Sequence, residues 1–203
     1  MSTTWTPTEL ETSGKREAHS VYRCITEPSR QVLNKIVDTP EELFELETLI
    51  EKSKPGSVDP SGRYEREITG AFEYGLRSPY ESRFRKPTEP GVLYAALDQK
   101  TALIEQAWHK HKFVQDSQGL EEVKGMPLNL FTLEISARIL DIQKPPLVKN
   151  REKWLDPFNY SETQLLATKV RQTNIQAIRY ESVRNYESPS ECIAVLDIEG
   201  IVP

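Results

Sequence analysis

The sequence contains few cysteines and no long hydrophobic run. Only two cysteines, Cys24 and Cys192, occur among the 203 residues, and their wide separation favours two reduced core side chains over a disulfide. No apolar run approaches the roughly 18 residues that a membrane span needs. The first residues also lack the apolar segment of a secretory signal. These features predict a cytoplasmic protein with no membrane contact, and the length fits one domain with a buried core.

The sequence also lacks an excess of positive charge. Its net charge of −5 argues against direct nucleic-acid binding, which needs a basic surface. His109 and His111 are two positions apart on a predicted helix and would point to different faces, so we expect no metal site. There is no phosphate-binding glycine loop and no G-x-S-x-G nucleophile motif, so neither of those chemistries is predicted.

Short strands and helices follow one another in irregular order. Fourteen prolines favour short elements and many connections. Strands are predicted at 21–26, 91–98, 129–142, 175–184 and 192–198, and helices after Thr39, at 99–112 and at 162–172. This order predicts an α+β single domain whose mixed, mostly antiparallel twisted sheet is flanked by helices. Residues 1–19 are predicted to form a loose polar arm before a domain over 20–203.

Capping signals mark the starts of these helices. Thr39 and Glu42 form a T-x-x-E capping box around Pro40, and Asp98 can cap the helix that follows. Ser161 and Gln164 have the same spacing and predict another capping box.

An arginine, a tyrosine and a glutamate occur at regular spacing in SRFRKPTEPGVLYAALDQKTALIE. Arg83 and Arg85 lie in a turn-rich segment, where a guanidinium fork could bind phosphate oxygens, although either could equally form a surface salt bridge. Tyr94 follows Arg83 by eleven positions and could be a ligand contact or a core residue. Glu105 follows after eleven more and borders an apolar helix stripe, so it needs either a ligand or an arginine partner.

Further candidates lie on two predicted strands. Arg23 occurs in VYRCIT among apolar neighbours. In RYESVR, the residues Tyr180, Ser182 and Arg184 are predicted to share one strand face. A serine with an arginine two positions later could hydrogen-bond a sugar or a phosphate.

These motifs together resemble one protein family. The R-x₁₀-Y-x₁₀-E spacing, joined to the downstream Y-x-S-V-R, is similar to the RES domain, which is named for its Arg, Glu and Ser. The resemblance extends to YRCIT, KIVDTPEELFELETLIEKSKP, WLDPFNYSETQLLA and CIAVLD, and so covers roughly residues 20–198. Residues 27–80 are longer than in compact members, so we assign them to a subgroup-specific helix and loops.

The resemblance implies a function and a fold. RES proteins are typically toxins of bacterial toxin–antitoxin pairs, which consume NAD⁺ as substrate and have a fold similar to ADP-ribosyltransferase toxins. The implied partner is a helix-turn-helix (Xre-type) antitoxin, and a homodimer is expected. No true cofactor is implied, but inorganic phosphate could be a co-substrate. The acceptor of the ADP-ribosyl group could be water, phosphate or a protein, and a non-catalytic nucleotide-binding module is the alternative from another class.

The resemblance also implies roles for particular residues. Glu105, Arg83 and Ser182 match the catalytic residues of the family. The expected substrate-binding residues are Arg23, Tyr94, Arg85, Tyr180 and Arg184. Tyr94 would stack on nicotinamide, the arginines would hold the pyrophosphate, and Glu105 would stabilise positive charge on the ribose during cleavage.

Overall fold

The computed structural model of the protein describes residues 5–26, 37–53, 68–73, 79–117, 128–185 and 190–202. The strands are β1 (Lys15–Thr26), β2 (Leu93–Ala96), β3 (Leu128–Asp141), β4 (Ala177–Glu181) and β5 (Glu191–Val195). The helices are α1 (Pro7–Ser13), α2 (Pro40–Ser53), α3 (Gln99–Asp116), α4 (Arg151–Trp154) and α5 (Ser161–Val170). Short 3₁₀ helices lie at Leu147–Asn150 and Ile198–Gly200.

The five strands close into a small barrel in the order β1-β2-β5-β4-β3. The longest pairing is antiparallel and joins β1 to β3 over twelve positions, from Lys15 opposite Ile139 to Thr26 opposite Leu128. The pairings β1–β2, β2–β5 and β4–β5 are also antiparallel. β3 and β4 are parallel and complete the closure.

The prediction of an α+β domain with a mixed, mostly antiparallel sheet is confirmed, because one of these five pairings is parallel. The sequence did not predict that this sheet closes into a barrel. Closure depends on which distant strands become neighbours, and hydrophobic periodicity within a strand carries no information about that.

The prediction of a loose arm over residues 1–19 is wrong for the described part of that segment. Thr6 and Glu9 form a capping box at the start of α1, and Leu10 is fully buried. β1 then begins at Lys15, six positions before the predicted strand. Its first half alternates little in burial, so its strand structure comes from the long ladder with β3 rather than from an amphipathic pattern.

The predicted caps have mixed outcomes. Thr39 Oγ1 accepts a hydrogen bond from the Glu42 amide at 3.2 Å, and Asp98 accepts one from the Thr101 amide at 2.8 Å, so both of these predictions are confirmed. The capping box at Ser161 and Gln164 is wrong. Tyr160 occupies the N-cap position without a side-chain cap. The side-chain amide of Gln164 instead donates to the carbonyl of Ser82 at 3.1 Å.

The predicted helix within 27–80 is α2, which is confirmed. Residues 68–73 are also helical. Gly91 lies against this short helix, and its amide donates to the Phe72 carbonyl at 3.1 Å. A Cβ at position 91 would overlap the backbone of Ala71 and Phe72, so only glycine permits this close approach before β2. The predictions for 27–36, 54–67 and 74–78 lie outside the described residues.

Side chains on opposite faces of the strands belong to two different hydrophobic clusters. The first joins all five strands through side chains such as Val21, Leu93, Leu133, Ala177 and Ile193. The second takes the opposite strand faces and packs them against α1, α4 and α5, and its members include Cys24, Phe84, Trp154, Tyr180 and Cys192. Both cysteines are buried and reduced. Of the candidate residues, Tyr180 belongs to this second cluster and Tyr94 packs against it.

Among the described residues, no helix combines the length and the apolar composition that a membrane crossing requires.

Candidate active site

A hydrogen bond joins Glu105 on α3 to Ser182, the residue that follows β4. Ser182 Oγ donates to Glu105 Oε1 at 2.6 Å. Ser182 Oγ also accepts hydrogen bonds from the backbone amides of Arg184 at 3.2 Å and Asn185 at 3.3 Å. A serine hydroxyl offers one donor and two acceptor positions, so all its capacity is used and Glu105 Oε1 is held in one place.

Arg184 contacts the other oxygen of the same carboxylate. Its Nη1 lies 3.4 Å from Glu105 Oε2. Its guanidinium carbon lies 3.7 Å from the centre of the Trp108 ring, in a cation–π contact, and its Nη2 donates to the Tyr160 hydroxyl at 3.1 Å. Three neighbours therefore fix the guanidinium from different sides.

Arg83 lies nearby on the turn before β2 and is only 4% exposed. It donates to the backbone carbonyls of Trp154 at 2.8 Å and Asp156 at 3.0 Å. Its guanidinium carbon lies 4.8 Å from the ring centre of Tyr160, whose hydroxyl binds Arg184. The Thr163 hydroxyl is 2.6 Å from the Arg83 carbonyl. Arg83 and Arg184 thus contact the same tyrosine.

Tyr94 braces the turn that carries Arg83. Its hydroxyl accepts from the Phe84 amide at 3.0 Å and lies 2.8 Å from Ser82 Oγ. Burial raises the pKa of this phenol. The carbonyl of Tyr94 accepts from Arg23 Nη1 at 2.8 Å, so Arg23 contacts the same strand position from β1.

Arg85 and Tyr180 are both buried. The Arg85 guanidinium donates to the carbonyls of Lys86, at 3.3 Å, and Tyr80, and the Arg85 carbonyl accepts from the Gln164 side chain at 3.3 Å. The Tyr180 ring packs edge to face on Phe84 with centroids 4.9 Å apart. Burial raises the pKa of Tyr180 well above its usual range, and the nearby Cys192 and Glu105 act in the same direction.

The expectation that Ser182 and Arg184 lie on a strand face is wrong, because β4 ends at Glu181. Beyond it, the Ser182 amide donates to the Ser190 carbonyl at 2.8 Å, and the Asn185 side chain donates to Thr101 Oγ1 at 3.1 Å. These bonds turn the chain toward the start of α3. The serine and arginine can therefore reach the same carboxylate.

Arg83 and Arg184 bring two guanidinium groups to the site, and the carboxylates of Asp156 and Glu105 interact with them electrostatically. Glu105 is the carboxylate that contacts Arg184, while the described contacts of Arg83 are with carbonyls and an aromatic ring. The Nε atoms of Arg83 and Arg184 are buried and have no hydrogen-bond partner among the described residues. Buried donors without partners are uncommon and call for a water or a ligand. The arrangement suits an anion placed next to one carboxylate.

The structure thus brings together Glu105, Ser182, Arg184 and Arg83, and it places Tyr94 and Arg23 behind the Arg83 turn. Tyr160 and Trp108 also contact the arginines of the site, and neither was predicted from the sequence. No local signal distinguishes them, because Tyr160 precedes an ordinary helix start and Trp108 has the spacing of a core residue on α3. In the part of the chain that the structure describes, no group of three His, Cys, Asp or Glu residues could hold a metal ion.

Comparison with known proteins places the chain in a family. The family described as the RES domain matches residues 58–201. The chain belongs to the RES domain family. The matched segment contains every candidate residue named above except Arg23. No curated protein matches the sequence.

A solved structure has a fold similar to that of this chain. A chain of the M. tuberculosis MbcT–MbcA toxin–antitoxin complex superposes with a TM-score of 0.55 and 10% sequence identity. The match covers 97% of this chain and 84% of that chain. At this identity the likeness concerns the fold alone.

Proposed function

We propose that this RES protein cleaves the bond between nicotinamide and ribose in NAD⁺ and acts as a toxin by depleting the cofactor of its own cell. The observation that carries the proposal is the Glu105 carboxylate held by both Ser182 and Arg184. Family membership and the two guanidinium groups of Arg83 and Arg184 at this site support it.

The proposed reaction breaks the C–N bond at the anomeric carbon of the ribose. The bonding electron pair leaves with nicotinamide, whose ring nitrogen thereby becomes neutral. Positive charge develops on the ribose, and a nearby carboxylate stabilises such charge. An oxygen of water or phosphate then bonds to the anomeric carbon, and a water nucleophile also loses a proton. We assign the charge-stabilising role to Glu105, which Ser182 and Arg184 orient.

The arginines suit the diphosphate of the same substrate. Arg83 and Arg184 each have a buried Nε without a described hydrogen-bond partner, and guanidinium groups bind phosphate oxygens in pairs. Positioning of this kind contributes to the rate, because nicotinamide is already a good leaving group.

The other candidate residues receive proposed roles around this core. Tyr94 and Tyr180 would line the nicotinamide side of the pocket, and Arg23 and Arg85 would contribute positive charge. For Tyr94 the described hydroxyl contacts also support a second role, which is to brace the Arg83 turn.

The biological setting is part of the proposal. The solved structure with a similar fold is that of a toxin–antitoxin complex, which supports an antitoxin partner for this chain. We propose a helix-turn-helix antitoxin of Xre type, a cytoplasmic location, a homodimer, and kinship of the fold with ADP-ribosyltransferases.

The test is nicotinamide release from NAD⁺ by the purified protein, with and without inorganic phosphate. Release that requires phosphate would identify a phosphorylase, and release without it a glycohydrolase. NAD⁺ labelled on its adenine would mark a protein band if a protein were the acceptor. Folded protein that binds NAD⁺ but releases no nicotinamide under any of these conditions would contradict the proposal.

A further inference from the structure

We propose that Tyr160 is a positioning residue that joins Arg83 and Arg184 into one seat for the substrate diphosphate. This inference rests on the proposed function and deepens it. Tyr160 lies 77 positions after Arg83 and 24 before Arg184, and it touches both guanidinium groups.

The two contacts use different parts of the tyrosine. A ring face receives the Arg83 guanidinium at 4.8 Å from its centre, and the hydroxyl oxygen accepts from Arg184 Nη2 at 3.1 Å. Its polar atom and one π-face are thus already occupied by protein cations. Tyr160 is therefore better placed to hold the arginines than to contact the substrate itself.

The backbone of Tyr160 is fixed as firmly as its side chain. Tyr160 forms the N-cap of α5, where its carbonyl accepts a hydrogen bond from the backbone amide of Gln164 at 2.8 Å. Thr163 Oγ1 lies within hydrogen-bond distance of the carbonyls of both Tyr160 and Arg83. The start of α5 and the Arg83 turn are consequently tied together through side chain and backbone.

The buried donors of the two guanidinium groups indicate what this seat binds. Two cations that share one neutral ring repel each other at close range; Glu105 interacts with Arg184, and Asp156 interacts with Arg83. A diphosphate carries two negative charges and several acceptor oxygens, so it could pair with both guanidinium groups and with their buried Nε donors. Without Tyr160 the arginines would lose the element that fixes their spacing.

Two substitutions separate the contacts of Tyr160. Tyr160→Phe removes the acceptor for Arg184 and keeps the ring beneath Arg83, whereas Tyr160→Leu removes both. ADP-ribose is the probe, because it carries the diphosphate of NAD⁺ and lacks the bond to be cleaved. We expect calorimetry to show about tenfold weaker binding for Tyr160→Phe and about a hundredfold for Tyr160→Leu. The control, Phe158→Leu, changes an aromatic residue of the same loop that is 87% exposed and should bind like the wild type.

A double substitution tests whether the hydroxyl acts through Arg184. In an Arg184→Met background, Tyr160→Phe should cause no further loss of ADP-ribose affinity. In single variants that turn over NAD⁺, KM should rise more than kcat falls. Circular dichroism and thermal denaturation establish that each variant is folded. The inference would be overturned if the folded Tyr160 variants bound ADP-ribose as tightly as the wild type. It would also be overturned if the loss of affinity in the double variant equalled the product of the losses in the two single variants.

The outcomes also separate this inference from the proposed function. A wild-type protein that binds ADP-ribose, loses affinity as expected on substitution, and yet releases no nicotinamide would support the Tyr160 role and refute the reaction. A wild-type protein that cleaves NAD⁺ while the Tyr160 variants bind and act unchanged would refute the Tyr160 role alone.

Discussion

Ser182 Oγ lies 2.6 Å from Glu105 Oε1, although the two residues are 77 positions apart in the chain. The serine oxygen also accepts hydrogen bonds from two backbone amides of its own loop, those of Arg184 and Asn185. It therefore joins the middle of α3 to the segment after β4. This hydroxyl fixes one oxygen of the carboxylate, and Arg184 contacts the other.

Glu105→Gln should lower nicotinamide release by at least about a hundredfold, because the amide keeps the shape of the side chain but not its charge. The fold should persist, since the amide oxygen can still accept from Ser182. Nicotinamide release and thermal denaturation measure the two effects. Glu152→Gln, an exposed position on α4, is the matched control and should leave both unchanged. Full activity of Glu105→Gln would show that the charge is not needed.

Ser182→Ala should destabilise the protein by about 1–3 kcal/mol, because two backbone amides and a carboxylate oxygen lose their partner in a buried site. Denaturant unfolding measures this free energy. Ser161→Ala is the control, because Ser161 is exposed and does not cap α5, so its change should stay within about 0.5 kcal/mol. Equal effects of the two variants would contradict the structural role of Ser182.

Tyr94→Phe should reduce activity through the Arg83 turn, even though its ring is retained. The Phe84 amide and Ser82 Oγ both lose a partner, which should cost about 1–3 kcal/mol of unfolding free energy. Ser82→Ala leaves the amide contact intact and should cost less. Denaturant unfolding and NAD⁺ turnover of both variants measure these effects. If Tyr94 served only to stack on nicotinamide, Tyr94→Phe would leave stability unchanged.

Stability should fall in alkaline solution because buried acids keep their protons in the folded state. Burial raises the pKa of Cys192 and of Tyr180 above their ordinary values of 9.0 and 10.0. The unfolded chain therefore loses these protons first as pH rises. The contribution of Cys192 to the stability of the fold is complete below about pH 9, and that of Tyr180 below about pH 10. Above those values each contribution declines by about 1.4 kcal/mol per pH unit.

Tyr180→Phe tests this pH dependence, since phenylalanine has no proton to lose. Above about pH 10, its unfolding free energy should fall less steeply than that of the wild type. Denaturant unfolding at a series of pH values between about 8 and about 11 provides the comparison. Parallel curves for the two proteins would show that Tyr180 does not contribute.

The sequence predicted those parts of the structure that depend on local interactions. The caps at Thr39 and Asp98 act within one helical turn, and β2 lies in a short apolar run between turn-forming residues, so these elements were predictable. The first half of β1 was not, because its polar residues form a strand only through the ladder with β3. The capping box at Ser161 failed because tertiary contacts recruit the Gln164 side chain to the Arg83 turn.

The candidate residues followed from their spacing and from the family resemblance, but their contacts did not. Spacing could not show that the Tyr94 hydroxyl binds the turn of Arg83, or that Ser182 leaves the strand to meet Glu105. No sequence pattern marked Tyr160 or Trp108 as part of the site, because each contacts an arginine from a distant segment. Contacts of this kind depend on the closed barrel.

The 77 positions between Glu105 and Ser182 also have a consequence for synthesis of the protein. At about 5–20 residues per second, a ribosome needs roughly 4 to 15 seconds to add them. During that time the carboxylate exists without its serine and without Arg184, and the barrel lacks β4 and β5. For a chain whose proposed activity harms its own cell, each nascent molecule stays harmless during this interval.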